Sequence, residues 1–281
     1  MSRLLLCTDL DRTLLPNGSE LESEQARKNF DQLIKHPQVT LVYVTGRHQK
    51  LVEQAIEEYQ LPQADYVIAD VGSTIYEITG RDWHYLGAWK KLIDSDWQGK
   101  SANELHDLLG DINDIQLQEK SKQNTHKLSY YVALNFNYQQ IMSAMKKKLK
   151  QQSISANLIW SIDKEANTGL LDVLPASAGK RQAIEFLMQH LGFDYAETVF
   201  SGDSGNDICV MSSPIQSVLV ANADDDVRSE AIKQARANHQ DETLYLAQGN
   251  FMGMNGNYSA GILEGVVHYI PQTENWIRGK T

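Results

Sequence analysis

The feature that most restricts this chain is the alternation of short apolar runs with segments of helical spacing. Residues 4–8, 39–44 and 66–69 read as buried strands. Ala26, Phe30, Leu33 and Ile34, then Leu51, Val52, Ala55 and Ile56, recur between them at helical spacing. Strands buried on both faces and joined by helices run parallel with crossover connections, so an α/β fold with a doubly wound parallel sheet is predicted. Ser19 or Ser23 is the expected cap of the first helix. After Gly179 the pattern returns, with helices over 182–191 and 227–237 and strands over 198–201 and 217–220. The intervening stretch differs. Trp83, Tyr85, Trp89 and Trp97 fall among polar residues, 127–135 and 157–162 alternate like half-exposed strands, and 170–174 is a further strand. Residues 81–174 therefore read as an inserted α+β domain with antiparallel pieces, and 1–80 with 175–281 as the core that receives it. A length of 281 residues accommodates two packed units.

The chemistry-bearing residues sit at or beside the ends of these strands, where a wound sheet binds its ligands. Asp9-Leu10-Asp11 follows the first strand, and two carboxylates at i and i+2 in a loop can address one small volume. One can attack phosphorus while the other moves a proton, although an acidic turn fits the pair alone. Thr45-Gly46-Arg47 offers a hydroxyl and a Gly-flanked N–H for a phosphate oxygen, or a plain turn. Lys180 opens a helix, where its charge opposes the dipole. It makes sense there if it faces a phosphoryl group or carboxylates, and otherwise as a solvated cation. Ser201-Gly202-Asp203-Ser204-Gly205-Asn206-Asp207 places two carboxylates and an amide together as hard-oxygen ligands suited to Mg²⁺. Nucleophile, proton shuttle, phosphate clamp, cation and metal are the parts of phosphoryl transfer. The first strand leads into acidic residues, not G-x-G-x-x-G, which disfavours a dinucleotide site.

The net charge of −10 argues against a nucleic-acid partner. Lys146-Lys147-Lys148 and Lys150 alternate with Ile141, Met145 and Leu149 as the wet face of a helix. No apolar run is long enough to span a bilayer, and the N-terminal region lacks a signal-peptide pattern. Cys7 and Cys209 lie in apolar stretches and are expected to be buried thiols of a cytoplasmic protein.

The motifs D-L-D-R-T at 9–13 and G-D-S-G-N-D at 202–207, with Thr45 and Lys180, resemble those of the haloacid dehalogenase (HAD) superfamily. The placement of the insertion is similar to the subgroup with a large α/β (type IIB) cap. The resemblance implies Mg²⁺-dependent hydrolysis of a phosphomonoester through an aspartyl-phosphate intermediate. It makes Asp9 the nucleophile and Asp11 the general acid/base, with Thr45, Gly46, Lys180 and Asn206 around the phosphoryl group. Mg²⁺ would sit on Asp9, the Asp11 carbonyl and Asp203, with Asp207 reaching it directly or through water. Arg12 stands where the family often has a small residue or Asn, and is expected to point away from the chemistry.

The chain looks most like the sucrose-phosphatase branch, and similar to mannosylfructose-phosphate phosphatases. The residues that carry this are Asp65-Tyr66, Val71 to Tyr76, Lys127 to Tyr130, Leu171 to Pro175 and Ser259 to Gly265. A disaccharide site needs groups that bond hydroxyls, and Gly72, Ser73, Lys127, Ser129 and Asp172 are the expected sugar contacts. The cap tryptophans are expected to pack in a core. The implied substrate is sucrose 6F-phosphate. Mannosylfructose phosphate, a mannosyl- or glucosyl-phosphoglycerate and trehalose 6-phosphate are alternatives, as are a phosphomutase and a non-catalytic binding protein. Association with a sugar-phosphate synthase is a possible partnership.

Overall fold

The structure, a computed structural model, describes residues 3–163 and 166–279. From its N-terminal end the chain runs β1 (Leu4–Thr8), α1 (Ala26–Ile34), β2 (Val39–Val44), α2 (Gln49–Glu58), β3 (Tyr66–Ala69), β4 (Thr74–Thr79) and β5 (Asp82–Tyr85). It continues through α3 (Gly87–Asp94), α4 (Ala102–Leu108), β6 (Gln116–Leu117), β7 (Leu128–Val132), α5 (Tyr138–Gln151), β8 (Ala156–Asp163) and β9 (Thr168–Pro175). It ends with α6 (Lys180–Leu191), β10 (Thr198–Gly202), α7 (Ile208–Met211), β11 (Gln216–Leu219), α8 (Asp225–Ala237), β12 (Leu244–Leu246), α9 (Ser259–Tyr269) and α10 (Thr273–Ile277).

An eight-stranded sheet has the order β12-β11-β10-β1-β2-β3-β4-β5. Every pairing from β12 to β3 is parallel, and β4 and β5 close the far edge antiparallel. All five residues of β1 are buried, as a strand covered by helices on both faces requires. Phe30 and Leu33 of α1 and Ile262 and Leu263 of α9 cover one face. Ile184 and Leu187 of α6, with Trp89 and Ile93 of α3, cover the other. Strand order reverses at β1 and β10, because successive strands are added outward on opposite sides of that pair. The carboxyl ends of β1 and β10 therefore flank the crevice where such sheets bind ligands.

A second, antiparallel sheet has the order β6-β7-β9-β8. Leu128, Tyr130, Leu171 and Val173 on one face pack against Leu105 of α4 and Ile141, Met145 and Leu149 of α5. Alternation turns Ser129 and Asp172, paired in register, to the opposite face. From that side Ile159 and Leu174 join the core of the first sheet. Within the stretch 81–174, β5 and α3 stay with the first sheet through strand pairing and the burial of Trp89 and Ile93. Trp89 and Trp97 are buried core residues, and Trp160 stacks on Tyr138 with centroids 4.3 Å apart.

Two expectations are corrected. Neither serine hydroxyl caps α1: Ser19 donates to Glu20 and Ser23 accepts from the Asn255 amide, because the helix begins beyond their reach. Cys7 is buried but Cys209 is exposed, since the short α7 turns it outward from apolar sequence neighbours. No described helix is long and apolar enough to cross a membrane.

The contact of α9 with β11 relies on a missing side chain. A Cβ on Gly265 would stand 2.1 Å from Val218 Cγ2. Gly265→Ala is expected to lower unfolding free energy by about 1–3 kcal/mol, and Val218→Ala in the same chain to recover part of it. An unchanged denaturant midpoint for Gly265→Ala would show the contact to be looser than described.

Candidate active site

Asp9 leaves the end of β1 with its amide bonded to Ser201 O of β10 at 2.9 Å. This ladder bond places the two acidic loops side by side. The Asp9 side chain is buried, its Oδ1 accepting from Leu10 N at 2.6 Å and its Oδ2 from Lys180 Nζ at 2.7 Å. Lys180 is wholly buried and donates equally, at 2.7 Å, to Asp207 Oδ1. The other Asp207 oxygen accepts from Asp203 N, Ser204 N and Ser204 Oγ, which ties the loop after β10 into a tight turn. Gly202 is needed beneath it, for a Cβ there would lie 2.6 Å from the Asp207 carboxylate.

Asp203 accepts from Thr13 Oγ1 at 3.0 Å. Carboxylate oxygens of Asp9, Asp203 and Asp207 lie within 4.8 Å of one another. Asp11 stands apart from this trio, held by Arg47 Nε at 2.8 Å and Nη2 at 2.6 Å, with Asn17 Nδ2 at 2.8 Å. Thr45 is buried beside this pair, its Oγ1 accepting from Arg47 N at 3.2 Å, while Gly46 lies against Val71. Asn206 is half-buried and accepts from Ser204 Oγ at 3.1 Å.

Arg12 does not point away from this centre. Its guanidinium lies 3.7 Å from Asp203 and 3.2 Å from Asp224, and it donates to Asn222 O at 3.2 Å. A left-handed backbone at Arg12 (φ 54), fixed by its amide on Asn17 Oδ1 at 2.7 Å, turns the side chain inward.

The charges are out of balance. Burial, with Asp207 and Asp203 nearby, lifts the Asp9 carboxyl well above its usual range despite Lys180. Burial and Asp207 push Asp203 up to about 7. Burial disfavours the Lys180 ammonium, but Asp207 and Asp9 more than offset it and raise its pKa. At Asp11 burial acts upward, yet the bonds and charge of Arg47 and the Asn17 amide bring the carboxyl below its ordinary value. Three buried carboxylates against one buried lysine form a set that a hard divalent cation would complete.

The second sheet lies across this crevice. Ser129 Oγ and Asp172 Oδ1 are hydrogen bonded, and Lys127 Nζ lies 3.8 Å from Asp172 and 3.2 Å from Lys122 O. All three are buried. Ser73 is buried on the rim and accepts from Asn124 Nδ2 at 3.2 Å, a bridge between the β3–β4 loop and the segment before β7. Gly72 touches the Gly179 backbone. Sequence reasoning overlooked the side chains of Arg47, Asn17 and Asn124. Arg47 was visible as the cation of its tripeptide, but its partner lies 36 residues away and is chosen by the β1–β2 pairing.

The family model described as sucrose-6F-phosphate phosphohydrolase matches residues 2–270. A HAD-like hydrolase of Nitrosococcus oceani is 48% identical over 98% of this chain and 74% of its own length. Sucrose-phosphatase 1 of Nicotiana tabacum is 27% identical over 95% of this chain, which spans only 59% of that protein. The sucrose-phosphatase of Synechocystis sp., solved with sucrose and phosphate, superposes with a TM-score of 0.78 at 25% identity, covering 96% of this chain and 99% of that one. With a matching family model over nearly its whole length, this chain belongs to the sucrose-6F-phosphate phosphohydrolase family, within the phosphatases of the HAD superfamily.

Proposed function

We propose that this protein hydrolyses a glycosyl phosphate, sucrose 6F-phosphate foremost, with Mg²⁺ and through a phosphorylated Asp9. The observation that carries the reading is the convergence of Asp9, Lys180, Asp203 and Asp207 at the carboxyl ends of β1 and β10. The donor set suits Mg²⁺, which Asp9, Asp203 and the Asp11 carbonyl would hold, with Asp207 fixing the loop. Bound there, the ion would neutralise the carboxylates and charge on the phosphoryl oxygens.

An Asp9 carboxylate oxygen attacks phosphorus and the bond from phosphorus to the sugar oxygen breaks. Asp11 gives that oxygen its proton, and the sugar leaves. Water then attacks phosphorus, Asp11 takes a proton from it, and phosphate leaves as Asp9 is restored. Lys180 and the hydroxyl of Thr45 steady the phosphoryl group, with Gly46 and Asn206 beside it. Arg47 holds Asp11 ionised at rest, the form that serves as base. An incoming dianion competes for Arg47 and, by drawing it off, raises the proton affinity of Asp11, which takes up a proton from solvent before it acts as the acid.

The second sheet acts as the cap that selects the sugar, with Lys127, Ser129 and Asp172 facing the leaving group and Gly72 and Ser73 on the rim. The free thiols fit a reducing cytoplasm. A synthase that makes the sugar phosphate is the partner this reading calls for.

Three outcomes are expected. Asp9→Asn should cut phosphate release roughly a thousandfold or more, and EDTA should abolish it in wild type. Release should be greatest with sucrose 6F-phosphate in a panel with mannosylfructose phosphate, trehalose 6-phosphate, glucose 6-phosphate and an aryl phosphate. Lack of release from every ester, with Asp9→Asn indistinguishable from wild type, would refute the reading. Lys127→Ala should raise KM for the sugar phosphate about tenfold while sparing the aryl phosphate, and equal losses would remove Lys127 from sugar recognition.

A fourth outcome concerns stability without metal. The Asp203 carboxyl, raised from 3.8 to about 7, is protonated in folded and unfolded chains at low pH. Its contribution is lost as pH rises through about 7, because ionisation then costs more in the folded state. Metal-free protein should thus melt at lower temperature as pH climbs over that window, and Asp203→Asn should flatten the trend. Mg²⁺ at roughly a hundredfold over its Kd should stabilise wild type by about 2.7 kcal/mol and Asp203→Asn far less. Equal Mg²⁺ shifts in both proteins would take Asp203 out of the metal set.

A further inference from the structure

Between β3 and β4 the backbone takes three consecutive left-handed steps, at Asp70 (φ 53), Val71 (φ 61) and Gly72 (φ 96). Glycine adopts this region freely, but a β-branched valine there is a steric outlier that costs about 1–3 kcal/mol. Such a loop persists only where its surroundings over-determine it. Asp70 N donates to Arg47 O and Val71 N to Thr45 O, both at 3.0 Å. A Cβ on Gly72 would stand 2.2 Å from the Gly179 carbonyl carbon. The loop is thus laced to the Thr45–Arg47 turn on one side and to the start of α6 on the other.

The result is that Asp70 sits at the carboxyl end of β3, beside the reacting centre and below the second sheet. Its side chain is only 5% exposed, and Oδ2 accepts from Thr74 Oγ1 at 3.2 Å. Burial lifts its carboxyl above the usual range, and Lys127 is the main charge that opposes the lift. Lys127 itself leans toward Lys122 O and Asp172. Asn124, whose amide reaches the rim at Ser73 and also bonds the Asp70 carboxylate, comes from the same segment as Lys127. Holding Thr74 and Asn124, both neutral donors, does not require a charge, since an amide oxygen would accept such bonds without the desolvation of a carboxylate. A desolvated carboxylate whose side-chain donors, Thr74 and Asn124, are both neutral has acceptor capacity left for hydroxyl groups, and repels a second anion.

We propose that Asp70 is a specificity-determining residue whose carboxylate accepts hydroxyl groups of the polyol leaving group, with Asn124 and Lys127 facing it from the side of the second sheet. The leaving group is then read from the catalytic sheet as well as from the cap. This rests on the phosphatase reading above, and an aryl ester, which lacks such hydroxyls, gains nothing from Asp70.

The test is steady-state hydrolysis by Asp70→Asn and Asp70→Ala, at saturating Mg²⁺, of the four sugar phosphates named above and of p-nitrophenyl phosphate. Asparagine keeps the bond to Thr74, so its melting temperature is expected to stay near that of wild type. KM for the best sugar ester should rise roughly tenfold to a hundredfold in both variants, with kcat within about threefold and p-nitrophenyl phosphate kinetics nearly unchanged. Three results would overturn the proposal: equal losses on sugar and aryl esters, an unchanged sugar KM in Asp70→Asn, or a wild type that treats p-nitrophenyl phosphate as well as any sugar ester. In each the phosphatase reading survives. A wild type inactive on every ester would instead remove that reading and the proposal with it.

Discussion

The buried ammonium of Lys180 is the interaction on which the rest of the centre depends. It joins Asp9 at the end of β1 to Asp207 in the loop after β10, both at 2.7 Å, and no solvent reaches it. An unpaired lysine at that depth would be strongly destabilising, and so would the carboxylates without it. The pairing therefore fixes three elements at once: the loop that carries Asp9, the turn of the acidic loop and the first residue of α6. The surplus of negative charge that survives is concentrated at Asp9 and Asp203, on the side open to a cation.

Around that fixed point the site divides its charges. Asp11 is withdrawn from the carboxylate trio by Arg47 and Asn17, so two aspartates only two residues apart in sequence experience opposite environments. Burial and repulsion raise the proton affinity of one, and a bidentate guanidinium lowers that of the other. Separating the proton affinities of neighbouring acids is how a single loop can supply both a nucleophile and a proton carrier. Arg12, turned inward by its left-handed backbone, adds a third cation at the periphery of Asp203.

Much of this fold was legible because it is written in local periodicity. The runs of β1, β2 and β10 announce parallel strands, and Asp9, Asp203 and Asp207 could be found as polar residues placed directly after them. What the chain does not spell out locally was missed. The Arg47–Asp11 pair is a product of strand register, and the direction of Arg12 follows from one backbone angle. The strained run at Asp70 and Val71 is imposed by tertiary bonds against residue preference, so no propensity scale reveals it. Cys209 illustrates the same limit, since apolar neighbours in sequence do not fix which way a one-turn helix faces.

The contact of Gly72 with Gly179 joins more than two loops. Gly179 lies between Pro175, where β9 ends, and Lys180, which is paired with Asp9. Only four residues, 176–179, separate the sheet proposed to read the sugar from the cation that steadies the reacting carboxylate. A displacement of β9 is therefore delivered to the start of α6 with little slack, and the paired glycines let the rim ride on that connector. On the proposed reading, occupancy of the second sheet and alignment of Asp9 are in this way geared to one another. Redesigning the lid for a different sugar would act on turnover as well as on affinity.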